Sequence, residues 1–142
     1  MNIKKLDISH LEEVSQIENK CFNDPWSIEM LEESFENGLF FGYFSQDLLC
    51  GYILIYFVLD EANIMNVAVL PEFRKNGYGD ALVKYALKIA KEKECVRAFL
   101  EVRQSNIAAQ TLYQKNSFVI DGIRKNYYSN PTENAILMHC EI

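Results

Sequence analysis

The sequence predicts an α/β fold: a single mixed sheet of about seven strands with helices on both faces, in the order β-α-α-β-β-β-α-β-α-β-β. Three observations carry this reading. The apolar runs Leu39–Ser45, Leu49–Leu59 and Asn63–Leu70 follow one another with tight turns, so they should pair antiparallel. The strands after them alternate with helical patterns, which brings in parallel pairing and helices packed on the sheet. The length of 142 residues, 49% hydrophobic and 24% charged, suits one domain over 1–142 with one sizeable core.

Each element has a local reason. Met1–Leu6 reads as a short strand. Ser9 is placed to cap a helix running to about Phe22, with Leu11, Val14, Ile17, Glu18 and Cys21 at helical spacing. Asn23-Asp24-Pro25 breaks it, because a proline disfavours helix at the residue before it. Ser27 caps a second helix through Glu36, and Gly38 ends it. The three central strands follow, the first two joined at Gln46-Asp47. From about Gly77 to Lys93 a long helix carries the stripe Leu82, Val83, Ala86, Leu87, Ile89 and Ala90, with Lys84, Lys88, Lys91 and Glu92 facing water. Val96–Arg103 is a strand, Asn106–Lys115 a helix, and Phe118–Lys125 and Ala135–Ile142 the closing strands.

Charge and cysteine content exclude several classes. With 14 basic and 20 acidic side chains the net charge is −6, which argues against direct nucleic-acid binding. The balance is uneven: residues 1–61 carry twelve acids and three bases, and 62–142 eleven bases and eight acids. That asymmetry fits two partners of opposite sign or simply a mixed solvated surface. Cys21, Cys50, Cys95 and Cys140 have no metal-ligand spacing, and neither His10 nor His139 completes one, so no metal is expected. The N-terminus is not a signal peptide, and the longest apolar run, Gly51–Leu59, is too short for a bilayer. A cytoplasmic protein with no membrane contact is expected.

Two segments carry chemistry. In Val67-Ala68-Val69-Leu70-Pro71-Glu72-Phe73-Arg74-Lys75-Asn76-Gly77-Tyr78-Gly79-Asp80 a buried strand meets a polar loop and then a helix. Gly77 and Gly79 allow close backbone approach, the helix start offers free N–H groups, and Arg74 and Lys75 add cations, which together suit an anion. The bland alternative is a helix start with glycines for turn geometry. The segment matches neither the Walker loop nor the Rossmann fingerprint.

The second segment is Leu100-Glu101-Val102-Arg103, followed by a helix that carries Asn106 and Tyr113. Ala98, Leu100 and Val102 share one face of the strand; Phe99, Glu101 and Arg103 share the other. Glu101 reads either as half of a solvated pair with Arg103 or as a partly buried carboxylate of raised pKa, able to act as a general base. Tyr113 reads either as a core tyrosine or as a phenol placed to donate a proton. Phe22, Trp26, Tyr127 and Tyr128, on loops or strand ends, are either packing residues or the walls of a peptide groove.

The Arg74-x-x-Gly77-x-Gly79 run after Val67-Ala68-Val69-x-Pro71 resembles motif A of the GCN5-related N-acetyltransferases (GNAT). Leu100-Glu101-Val102-Arg103-x-Ser105-Asn106-x-Ala108-Ala109-x-x-Leu112-Tyr113, Arg124-Lys125-Asn126-Tyr127-Tyr128 and Cys21-Phe22-x-x-Pro25-Trp26-Ser27 are similar to the bacterial ribosomal-protein-alanine branch of that family. The resemblance covers about residues 3–140 and implies a GNAT fold and acetyl-CoA as cosubstrate. Arg74 to Asp80 would hold the pyrophosphate, bulged Val67–Val69 would pair with the pantetheine arm, and Asn106 would touch the same arm. It implies Glu101 as general base through a water and Tyr113 as general acid. The implied partner is a basic ribosomal-protein N-terminus beginning Ala-Arg-Tyr, entering between Phe22–Ser27 and a turn at Arg124–Asn134. Asp24, Glu29, Glu32 and Glu33 are candidates for an acidic rim. One departure is Lys115-Asn116-Ser117-Phe118, where the family has glycine before the aromatic; Asn116 is the residue best suited to a left-handed exit. Other acceptors, lysine side chains or small amines, and a non-catalytic acyl-CoA sensor remain as alternatives.

Overall fold

The computed structural model describes residues 2–142; Met1, at the head of the first expected strand, lies outside them. The elements are β1 (Ile3–Lys5), α1 (Leu11–Cys21), α2 (Ile28–Asn37), β2 (Leu39–Ser45), β3 (Leu48–Val58), β4 (Glu61–Val69), α3 (Tyr78–Glu92), β5 (Arg97–Arg103), α4 (Ile107–Lys115), β6 (Val119–Tyr128) and β7 (Glu133–Glu141). Single 3-10 turns precede α1 at Ile8–His10 and α3 at Pro71–Phe73. The seven strands form one sheet in the order β1-β2-β3-β4-β5-β7-β6. Only β4–β5 is parallel, since α3 carries the chain across between them; the other neighbours are antiparallel.

Helices cover both faces, as expected. On one side α3 buries Leu82, Val83, Ala86 and Ala90 against Ile53, Ile55, Ala98 and Leu100, joined by Tyr113 and Phe118. On the other, Val14, Ile17 and Leu31 pack on Phe40, Tyr52, Leu54 and Ala68. At Gln46-Asp47 both residues take positive φ, 51° and 67°, the geometry that suits the twist of a two-residue hairpin.

Four local expectations change. The first helix is entered through Asp7, not Ser9: Asp7 is extended and accepts from the Ser9 backbone N–H at 3.0 Å, and His10 Nδ1 accepts from the Asp7 N–H at 3.2 Å. Ser27 does cap α2, accepting from the Met30 N–H at 3.2 Å. Gly38 ends α2 in extended backbone, φ −131°; it is needed for space, because a Cβ would lie 2.5 Å from Tyr56 Cδ1. After α4 the left-handed residue is Ser117, φ 72°, while Asn116 stays at φ −99°. The amide of Asn116 is otherwise engaged: Nδ2 donates to Asp80 Oδ1 at 2.9 Å and to the Leu112 carbonyl at 3.0 Å. Finally, Arg124–Tyr128 belong to β6, so the turn into β7 is confined to residues 129–132.

Asp80 fastens the start of α3 to the end of α4. Its carboxylate takes Lys84 Nζ at 2.9 Å and Asn116 Nδ2 at 2.9 Å, and the Lys84 ammonium holds it below the usual carboxylate range. A carboxyl with a lowered folded-state pKa stabilises the fold at neutral pH and loses that contribution as pH falls through its titration. Asp80→Asn should therefore lower Tm at pH 7 by about 2–4 °C, and the gap to wild type should close below about pH 4. Ser117→Gly should raise stability by about 0.5–1 kcal/mol in thermal unfolding, since glycine carries no Cβ penalty at positive φ.

Candidate active site

β4 and β5 pair for only four residues, from Glu61↔Arg97 to Ile64↔Leu100, and then part. At the point of parting β4 is bulged: Ile64 faces Ile55 and Asn66 faces Leu54 on β3, leaving Met65 as the extra residue. The resemblance implies a bulge within Val67–Val69; it falls earlier, at Met65. Because side chains alternate with period two, one inserted residue exchanges the faces. Ala62 and Ile64 accordingly face the α3 core, whereas Ala68 and Leu70 face the α1 core. Beyond the bulge, the β5-side edge of β4 has no strand partner among the described residues and lines an open cleft of about 1720 Å³.

The glycine loop stands at one end of this cleft. Lys75 and Gly77 both take left-handed φ, 67° and 79°, and turn the chain into α3. A Cβ on Gly77 would meet nothing within 4 Å, so this glycine is set by conformation and faces open space. The first intrahelical bond runs from the Ala81 N–H to the Gly77 carbonyl at 3.0 Å, so the N–H groups just before it lack helical partners. The loop's side chains are mostly engaged elsewhere. Arg74 Nε donates to the Val69 carbonyl at 3.0 Å, Asn76 Nδ2 to the Phe73 carbonyl at 3.0 Å, and Tyr78 stacks on Tyr43 at 4.0 Å. With Asp80 held by Lys84 and Asn116, Tyr78, Gly79 and Asp80 offer the cleft their backbone. Asn106 caps α4 on the same cleft, its Oδ1 accepting from the Ala109 N–H at 3.1 Å.

Glu101 and Tyr113 line the same cleft. The strand alternation holds: Ala98, Leu100 and Val102 are buried, and Glu101 is on the other face. The Glu101 side chain is partly buried, with 34% of its surface exposed, and Arg124 Nη1 lies 3.5 Å from Oε1. Arg103 is not its partner; it donates to Glu133 at 3.0 Å and to the Pro131 and Ser129 carbonyls. Tyr113 is 7% exposed and edge-on to Phe118. Burial pushes its phenol well above the ordinary value, so it stays protonated at neutral pH. No side-chain hydrogen bond holds its hydroxyl among the described residues, and no buried side-chain polar atom lacks a partner there, so the hydroxyl opens on the cleft.

Four aromatics line the cleft as well, Phe22 and Trp26 from the α1–α2 segment and Tyr127 and Tyr128 from β6. Arg124 lies over the Tyr127 ring at 4.9 Å and Arg103 over Tyr128 at 4.5 Å. Burial, with the Glu101 carboxylate nearby, pushes the Tyr128 phenol up to about 12. Of the four acids expected at the rim, only Asp24 lines the cleft; Glu29, Glu32 and Glu33 are exposed on α2 outside it, because its inward face is taken by Leu31 and Ser34. Glu61 and Glu133 take their place on the lining.

One residue was missed. Glu18 is 1% exposed and accepts from the Trp26 N–H at 3.0 Å, the Tyr52 hydroxyl and Asn66 Nδ2. Burial raises its pKa. An acid at a core-spaced helical position, between Ile17 and Cys21, was the available signal.

Known proteins share this arrangement. The Acetyltransferase (GNAT) family model matches residues 11–118. A Bacillus subtilis relative, 39% identical over 96% of this chain and 91% of its own, is named provisionally as a ribosomal protein bS18-alanine N-acetyltransferase. The crystal structure of the Escherichia coli ribosomal-protein-S18-alanine N-acetyltransferase superposes with a TM-score of 0.93 at 31% identity, covering 99% of this chain and 92% of that one. A Bacillus subtilis acetyltransferase in complex with CoA shares the fold at TM-score 0.85 and 20% identity, covering 99% and 98%. A bulged strand parting from its parallel neighbour, a glycine loop opening α3, and near full-length similarity agree: the chain belongs to the acetyltransferase (GNAT) family.

Proposed function

We propose that the protein, acting as one domain over residues 1–142, transfers the acetyl group of acetyl-CoA to the α-amine of an N-terminal alanine on a small-subunit ribosomal protein, its mature sequence beginning Ala-Arg-Tyr. An acyltransferase that draws on acetyl-CoA is what the family membership gives; the names of the relatives support the acceptor and, with it, a cytoplasmic site of action. The observation that carries the chemistry is that Glu101 and Tyr113 open on one cleft, which the glycine loop and the aromatics Phe22, Trp26, Tyr127 and Tyr128 also line.

Attack on a thioester by an amine needs a base and an acid. The α-ammonium must lose a proton before its nitrogen can bond to the acetyl carbon, and the sulfur must gain one as the C–S bond breaks. Glu101, open to the cleft, takes the first proton through a water. Tyr113, buried and protonated, supplies the second. The loop from Arg74 to Asp80 would hold the pyrophosphate on the amides that open α3, and the free edge at Val67, Ala68 and Val69 would pair with the pantetheine arm near Asn106. Direct attack is favoured over an acyl-enzyme. Cys21 reaches the cleft, but its thiol donates to the Val69 carbonyl at 3.4 Å and burial raises its pKa, which disfavours the thiolate.

Incubating an Ala-Arg-Tyr peptide with acetyl-CoA and locating the acetyl group by mass spectrometry tests the acceptor. α-Amine product is expected; product only from lysine peptides or polyamines, or tight acetyl-CoA binding without product, overturns it. Tyr113→Phe and Glu101→Gln should each lower kcat by about 10²-fold or more while the Kd for CoA, measured by calorimetry, is unchanged. Full activity in either variant removes that residue from the mechanism. Asp24→Lys should raise KM for the arginine-containing peptide, and Glu32→Lys with Glu33→Lys should not, because of these three residues Asp24 alone borders the cleft.

A further inference from the structure

The segment between α1 and α2 forms the acceptor wall of the cleft, yet 23–26 have neither helical nor strand structure. Among the described residues, the one hydrogen bond given to the backbone of 23–26 is Trp26 N–H to Glu18 Oε1, at 3.0 Å. The other oxygen of the same carboxylate takes Asn66 Nδ2 and the Tyr52 hydroxyl, and Asn66 donates to Tyr52 at 3.0 Å as well. Asn66 is the residue immediately after the bulge, and it points at Glu18 because the bulge exchanged the faces of β4. One buried carboxylate therefore ties the acceptor wall to the post-bulge edge of the strand that lines the cofactor side.

We propose that Glu18 is a positioning residue that fixes the Asn23–Trp26 wall relative to the post-bulge register of β4, and so sets acceptor binding without touching the acetyl donor. The second half of this statement rests on the function proposed above. A carboxylate suits the position because all three of its partners donate. Glutamine keeps the size but brings an N–H₂ group that must confront the Trp26 N–H or the Asn66 amide. Keeping the oxygen toward Asn66 and Tyr52 satisfies two donors and frees the loop, so Glu18→Gln should release Trp26 first.

Trp26 is the only tryptophan in the chain, so the wall reports on itself. In Glu18→Gln, Trp26 emission should move to longer wavelength and be quenched more strongly by acrylamide. KM for the Ala-Arg-Tyr peptide should rise at least tenfold, with the Kd for CoA within twofold of wild type. Tyr52→Phe, which leaves the Glu18–Trp26 bond in place, should keep the wild-type emission and peptide KM. In the wild-type protein the Trp26 amide should exchange with solvent at least 100-fold more slowly than those of Asn23 and Asp24, a measurement that needs no variant to fold. Unchanged Trp26 emission in folded Glu18→Gln, a peptide KM no higher than in Tyr52→Phe, a matching loss of CoA affinity, or fast exchange at Trp26 would each overturn the proposal. If wild-type enzyme acetylates no peptide but Trp26 responds as stated, the acceptor assignment fails and the tether stands. If the peptide is acetylated and Trp26 does not respond, the tether fails and the assignment stands.

Discussion

The parting of β4 from β5 after four paired residues is the constraint from which the rest of the molecule is arranged. Parallel strands joined by a helix ordinarily stay paired along their length. Here an extra residue at Met65 shifts β4 by one position, which would force apolar side chains onto the wrong face if the pairing with β5 continued. The strands separate instead. The gap exposes backbone on β4, the open face of β5 bearing Glu101, and the N-terminal ends of α3 and α4, all within one concavity. Helix starts with unbonded N–H groups favour anions, so one end of the cleft is electropositive before any side chain is counted.

Charge along the cleft is more finely divided than the split of the sequence at residue 61 suggests. The acidic half supplies Glu18, Asp24 and Glu61 to the lining, but its four glutamates on α2 stay outside. The basic half supplies Arg74, Lys75 and Lys115 near the glycine loop. It also supplies Arg124 and Arg103, which sit beside Glu101 and Glu133 on the acceptor side. This part of the lining is thus a set of paired charges beside tyrosine rings.

What the sequence made legible was local. The stripe of α3, the Ser27 cap, the hairpin at Gln46-Asp47 and the alternation through Glu101 each depend on neighbours within a few residues, and each is present. What it hid depends on distant partners. The side chain of Asn116 is drawn to Asp80, 36 positions away, and leaves the left-handed conformation to Ser117. Glu101 lies beside Arg124 of β6 rather than Arg103 two positions on, a pairing across the sheet that no spacing records. Glu18 looks like one more residue of an amphipathic helix until Tyr52 and Asn66 arrive from β3 and β4. The site residues named from the sequence do gather in one cleft, with Asn76 bracing the loop behind it.

Strand order has a consequence in time. β5, which carries Glu101, has β4 on one side for only part of its length; along the other side it pairs throughout with β7, and Glu101 itself is opposite Leu137. β7 is the last of the seven strands in the chain, and it slots between β5 and β6, both made before it. During synthesis the helices and the glycine loop can form early, but β5 lacks a full neighbour until residues 133–141 have emerged. A nascent chain is therefore without the strand edge that holds Glu101 in the cleft until β7 is in place. The strand that completes the sheet is also the one that completes the enzyme.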